Sequence, residues 1–214
     1  MQIAKRTWIY IGITLLVIVS LFLITYFFFP KIWGDIVYPL EYEDMIVKYS
    51  KQYDIDPALI AGIIYSESRF NPTAASHAGA QGLMQIMPAT GRGIAKRIGE
   101  TFGDLFNPDT SIRYGTYYIK SLIDKYNGDV DAALAAYNGG AGVADRYIIT
   151  RSDASIPAET AGYIVKVNSA WGNYEKLYGN ILNAENVTEA IRIKQEEQEK
   201  TWFQKILESF GSND

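Results

Sequence analysis

The sequence predicts an all-α protein: a compact helical domain, preceded by a transmembrane helix and followed by an amphipathic helix. Three observations carry this. Between residues 41 and 180 helix starts and stops recur, and no convincing period-2 strand interrupts them. Thr7 to Phe29 run 23 residues without a charge. From 181 to 214 the composition turns polar, with 4 basic and 7 acidic side chains.

The uncharged N-terminal run, TWIYIGITLLVIVSLFLITYFFF, would span about 35 Å as a helix, enough for a bilayer core. A secretory signal peptide is the rival reading, but its apolar region is shorter and ends at a small-x-small cleavage site. Here the exit is Phe28-Phe29-Pro30-Lys31-Ile32-Trp33, with nothing small to cut at. Trp8 and Tyr10 at one end, and Tyr26 and Trp33 at the other, stand where interfacial aromatics stand. Lys5 and Arg6 outweigh Lys31, which Asp35 offsets, so the positive-inside rule places the N-terminus in the cytoplasm and residues 31 to 214 outside. Residues 1–30 thus read as cytoplasmic stub and anchor. Pro30, Gly34 and Pro39 mark a juxtamembrane linker over 31–40.

Residues 41–180 are long enough to bury roughly two-thirds of their unfolded surface and fold alone. Asp56-Pro57 reads as an N-cap and first helical residue. Asp109 precedes a long run that stops at Asn127-Gly128, Asp129 caps a short helix ending near Tyr137, and Pro157 opens AETAGYIVKVNSAWGNYEKLY. Asn71 to Pro88, rich in Ala, Gly and Ser, is too irregular for one regular helix, and long loops inside compact domains are often functional. In the tail 181–214, Trp202, Phe203, Ile206, Leu207 and Phe210 share one helical face, which is expected to dock on the domain, with the membrane surface or a protein partner as alternatives.

Composition removes several classes of function. The 214 residues include no cysteine and a single histidine, His77. Thiol nucleophiles, disulfides, Cys-ligated zinc and multi-histidine metal sites are therefore excluded. The net charge of −4 argues against nucleic acid, whose phosphates need clustered Lys and Arg. The 16 Tyr, 9 Phe and 4 Trp are many; core packing is their default use, and carbohydrate is one use for exposed aromatic faces.

Chemistry concentrates at the end of the helix that Pro57 opens. Ile60, Ile63 and Ile64 form an apolar face, and seven residues after Ile60 that face carries Glu67. Burial raises a carboxyl pKa, as a general acid near neutral pH requires. The plainer alternative is a helix-end Glu turned to solvent. Glu67-Ser68-Arg69-Phe70-Asn71-Pro72 is followed by Ser76-His77-Ala78-Gly79-Ala80-Gln81-Gly82-Leu83-Met84-Gln85-Ile86-Met87-Pro88, then by Ala136-Tyr137-Asn138-Gly139-Gly140 and Glu159-Thr160-Ala161-Gly162-Tyr163. These ordered segments resemble the soluble-type lytic transglycosylases, lysozyme-like enzymes that cleave the glycan strands of peptidoglycan. The resemblance covers about Tyr42 to Tyr178.

The resemblance implies a lysozyme-like helical domain. It implies that Glu67, at the E-S-x-F position, is the single catalytic acid/base. Ser76, Gly82, Met84 and Gln85 match the loop lining the sugar groove, Tyr137 and Asn138 the A-Y-N motif beside the acid, and Glu159 and Tyr163 the E-T-x-x-Y motif that closes the site. His77 remains a loop residue. Taken singly, Met84 could be core filler, Tyr137 an ordinary buried aromatic and Gly139-Gly140 a helix terminator. One departure is at Gly140: after the Asn the family more often has Ala-Gly than Gly-Gly.

Most glycosidases use two carboxylates. Asp56, Asp109 and Asp129 read as helix caps, which leaves Glu159 as the credible partner. In the lytic reaction that the resemblance implies, the sugar's own C6 hydroxyl attacks C1 and no second acid is needed. Neither metal nor cofactor is called for. The partners are peptidoglycan strands and the membrane, with any protein partner of the C-terminal helix unknown. A hydrolytic goose-type muramidase and a non-catalytic wall-binding scaffold are the alternatives.

Overall fold

The computed structural model describes residues 2–28, 34, 36–183, 192, 193 and 196. The chain divides into two compact units, Met1–Val37 with Glu196–Asp214, and Tyr38–Gln195. In the first unit, α1 (Gln2–Phe28) is one continuous helix. Its described side chains, Thr7, Trp8 and Tyr10 to Tyr26, are all exposed.

The second unit is built from α2 (Glu43–Tyr53), α3 (Pro57–Ser68), α4 (Pro88–Ile98), α5 (Pro108–Lys125), α6 (Val130–Gly139), α7 (Ala141–Thr150), a short 3₁₀ turn (Asp153–Ser155) and α8 (Ala158–Leu182). Isolated bridges at Ala75–Gln81 and Gln81–Ile86 are the extended pairings among the described residues. The domain is all-helical, as expected. Asp56 caps α3 by accepting from the Ala58 amide at 2.8 Å, with Pro57 at the first helical position where no amide hydrogen is needed. Asp129 caps α6 through the Ala132 amide at 3.0 Å. Asn127 and Gly128 take positive φ and stop the chain after α5.

α3 is the centre of the core. Ala58, Leu59, Ile60, Ala61, Ile63 and Ile64 are all buried, so the helix is covered around most of its circumference rather than along one stripe. Its main partner is α8. At Gly62 the two backbones meet: an added Cβ would stand 2.9 Å from the Trp171 amide nitrogen and 3.3 Å from the Val167 carbonyl oxygen. Beside this contact the Trp171 indole donates to Asp56 Oδ2 at 2.8 Å, so one carboxylate caps α3 and tethers α8. Further along, Tyr174 and Tyr178 donate to the carbonyls of Pro39 and Tyr38, each at 2.8 Å, fastening the segment by which the chain enters the domain.

One expectation changes. Asp109 is not a cap: α5 starts one residue earlier, at Pro108, and Asn107 accepts from the Thr110 amide. Asp109 instead accepts from Tyr49 Oη at 2.6 Å and pairs with Lys48. These donors hold its carboxyl below the usual range against the opposing effect of burial, which is the largest influence on it. For the membrane-spanning helix, no helix among the described residues is long and apolar enough to cross a membrane. The apolar face of the tail, Trp202 to Phe210, lies outside the described residues.

Gly62→Ala tests the α3–α8 contact. The groups in the way are backbone atoms that cannot rotate aside, so the substitution should destabilise the fold by about 1 to 3 kcal/mol. The midpoint of urea unfolding reads this directly; an unchanged midpoint would show that the helices part without cost.

Candidate active site

Glu67 lies in the last turn of α3 and is half-buried. The helix ends at the next residue, Ser68, because Arg69 and Phe70 both take positive φ, 51° and 63°. Phe70 is itself buried against the ring of Tyr174, which anchors the turn. Ser68 donates to the Leu83 carbonyl at 2.8 Å, pinning the loop beside the acid. Within that loop Ser76 accepts from the Ala80 amide at 3.0 Å, and Gln85 donates to the carbonyls of Gly82 and Ala74. Gly82, at φ 77°, passes so close to Leu105 that a Cβ would stand 1.9 Å from its carbonyl oxygen. Only glycine permits that approach.

α8 supplies the groups that act on the acid. Tyr163, buried, donates its hydroxyl to Glu67 Oε1 at 2.7 Å. One turn along α8, Lys166 donates to the Ser66 carbonyl. Desolvation raises the Glu67 pKa to about 7, against the downward pulls of the Tyr163 hydrogen bond and the Lys166 charge. Burial and the nearby Glu67 push the phenols of Tyr163 and Tyr137 far above their ordinary range, so both are neutral donors. A carboxyl poised near 7 can give a proton and take one back.

The expected residues are placed unequally. Glu67 and Tyr163 are joined directly. Tyr137 donates to the Met84 carbonyl at 2.8 Å, which binds α6 to the loop. Asn138 Oδ1 accepts from Thr160 Oγ1 at 2.8 Å, which binds α6 to the start of α8. Ser76 is exposed on the loop, as is His77. Gln85 is half-buried with its amide donors turned onto the loop's own carbonyls. Two expectations need correction. Met84 is 0% exposed and packs on Gly115, where an added Cβ would stand 2.3 Å from its sulfur, so its side chain is core rather than groove wall. Glu159 is exposed in the first turn of α8, and the residues that influence Glu67 are Tyr163 and Lys166.

Four residues escaped the sequence reading. Ser68 and Lys166 have been placed above; Thr160 ties Asn138; and the buried Ser111 accepts from the Met84 amide at 3.1 Å. Lys166 was detectable in principle, because three residues after Tyr163 on a helix is the same face. Among the described residues no group of three or more His, Asp or Glu is placed to hold a metal ion.

The domain is all-helical, with a desolvated glutamate in the last turn of its central helix, consistent with the lysozyme-like class. The family model for the transglycosylase SLT domain matches residues 44–159, and the chain belongs to that family. It is 38% identical over 141 residues to a transglycosylase of Enterobacteria phage PRD1, covering 66% of this chain and 46% of the relative. It is 34% identical over 168 residues to the membrane-bound lytic murein transglycosylase C of Sodalis glossinidius, covering 64% of this chain and 47% of the relative. The chain thus spans just under half the length of these curated relatives. The crystal structure of the 70 kDa soluble lytic transglycosylase of Escherichia coli superposes with a TM-score of 0.63 at 32% identity, over 70% of this chain and 26% of that one.

The raised pKa has a consequence for stability. Glu67 holds its proton more tightly folded than unfolded, so its stabilising contribution is fully present below the ordinary value of 4.5 and is lost as the pH rises through about 7. Glu67→Gln removes this dependence. Between pH 4 and 8 the variant should gain on the wild type by on the order of 2 to 3 kcal/mol, read as diverging urea midpoints. Parallel midpoints across that range would mean that the carboxyl is ordinary.

Proposed function

We propose that the chain is a membrane-anchored lytic transglycosylase that cleaves the MurNAc-GlcNAc β-1,4 bond of peptidoglycan and leaves 1,6-anhydromuramoyl ends. The observation that carries this reading is the Glu67 carboxyl, desolvated to a pKa of about 7 with the neutral Tyr163 donating to it. In the first half-step Glu67 gives its proton to the glycosidic oxygen as the C1–O bond breaks. In the second, the Glu67 carboxylate takes the proton of the muramoyl C6 hydroxyl as that oxygen bonds to C1. No water is consumed and the acid is restored. Tyr163 steadies the carboxylate formed between the two steps. The substrate's N-acetyl group assists at C1.

Two features favour an internal nucleophile over water. A hydroxyl on the reacting ring loses little translational entropy in the attack. The Glu67 site is served by a phenol and an ammonium rather than a second carboxylate, while Glu159 stands exposed at the start of α8. The glycan strand would lie along the loop from Ser76 to Gln85, with the loop backbone at Gly82, the Gln85 carbonyl oxygen, Tyr137 and Asn138 as its contacts. No metal or cofactor enters.

For the rest of the chain we infer the division 1–30 anchor, 31–40 linker, 41–180 catalytic domain and 181–214 tail. The support is the 23-residue uncharged run and its flanking charges. A relative named membrane-bound points the same way. The domain would then face the cell wall from a single-pass anchor. Protease added outside intact protoplasts should remove residues 31–214; a protected domain, or mature protein beginning near residue 30, would overturn this topology.

Glu67→Gln should abolish glycan cleavage by at least about a thousandfold, since one group serves as both acid and base. Digestion in oxygen-18 water separates the chemistries: mass spectrometry should find anhydro ends with little label. Labelled reducing ends would instead identify a hydrolytic muramidase, and intact strands a binding scaffold.

A further inference from the structure

α3 places its acid in an awkward position electrostatically. The last carbonyls of a helix lack amide partners four residues on and carry the negative end of its dipole. α3 has no basic residue of its own in its last turn to offset this. Glu67 stands in that turn, where a carboxylate is disfavoured twice, by burial and by the dipole. Ser66 lies beside it, and its carbonyl belongs to the unpartnered set because the helix ends at Ser68.

We propose that Lys166 is a positioning residue that caps α3 from α8, tying the Ser66 carbonyl and placing a positive charge at the dipole's negative end beside Glu67. The contact is the Lys166 Nζ donation to the Ser66 carbonyl. It sits one helical turn from the Tyr163 hydroxyl that donates to Glu67, so one face of α8 delivers both groups. Lys166 touches neither the carboxyl nor a reacting atom. Its action is to hold the end of α3 under Tyr163 and to let Glu67 ionise in the second half of the reaction.

The other groups facing Glu67 leave this role vacant. Tyr163 from α8 and Tyr137 from α6 are neutral. Arg69, the residue after α3, lies over the ring of Tyr65 with its guanidinium 6.0 Å from the ring centre. Lys166 itself is exposed, so its influence passes through solvent and is screened by salt.

This inference rests on Glu67 being the acid of the proposed reaction, yet it can be read without substrate. The test follows the Glu67 carboxyl by carbon-13 NMR in the full chain, the signal being assigned by its loss in Glu67→Gln. Lys166→Met should raise the titration midpoint by roughly 0.3 to 0.7 pH unit. The shift should shrink in high salt, and Lys166→Arg should restore the wild-type midpoint. Lys166→Gln keeps a donor without the charge and should behave like the Met variant; it also serves if Lys166→Met does not fold. In turnover, the alkaline limb should move by the same amount with KM little changed. An unmoved midpoint in both uncharged variants, or an equal shift in Lys166→Arg, overturns the role. Retained cleavage in Glu67→Gln would instead remove Glu67 from the reaction, leaving the titration result standing.

Discussion

The backbone contact between α3 and α8 at Gly62 is the constraint on which the site depends. Because glycine lets the helices touch there, side chains further along both must meet in a set register. Ser66 and Glu67, one turn up α3, face Lys166 and Tyr163, one and two turns before Trp171 on α8. The Asp56–Trp171 hydrogen bond holds the other end of the pair. Acid and donor are 96 residues apart in sequence, and cap and tether 115. The acid's environment is therefore a property of helix packing rather than of its own segment.

That environment balances opposed influences. Burial and the helix end favour the neutral acid, while the Tyr163 hydroxyl and the Lys166 charge favour the anion. Desolvation wins, but only far enough to reach about 7. The outcome suits a group that must be acid and base in turn, since a deeper burial would leave it unable to ionise. The second phenol is kept out of this balance: Tyr137 donates to the Met84 carbonyl, a contact that fastens the loop instead of further stabilising the carboxylate.

Sequence carried the fold where local chemistry decides it. The pairs Asp56-Pro57 and Asn127-Gly128 act locally, and both behave as their residue types require. Asn107-Pro108 has the same form as Asp56-Pro57, and favouring the charged Asp109 over it misplaced the cap by two residues. Pro88 opens α4 in the same way that Pro57 opens α3. At the site, Glu67, Tyr137, Asn138 and Tyr163 were visible because four short motifs stand in order. Met84 was not assignable between groove and core, because its burial is set by Gly115, thirty-one residues on. Lys166 is marked in the sequence by its spacing from Tyr163 alone, since an exposed lysine carries no other local sign of function.

The double glycine after Asn138 is explained by the same packing. A Cβ on Gly139 would stand 2.9 Å from both Thr160 Oγ1 and Val143 Cγ2, so an alanine there would press on the hydroxyl that holds Asn138. Gly140 lies at φ 84°, ψ 169°, a region essentially closed to other residues. Gly140 is thus required by backbone shape and Gly139 by a neighbour. The rigidity lost through an extra glycine is regained from Thr160, whose hydrogen bond fixes Asn138 from the opposite helix. An alanine at 139 would stiffen the chain locally while loosening that tie. The double glycine and the close approach of α6 to α8 are therefore two sides of one arrangement.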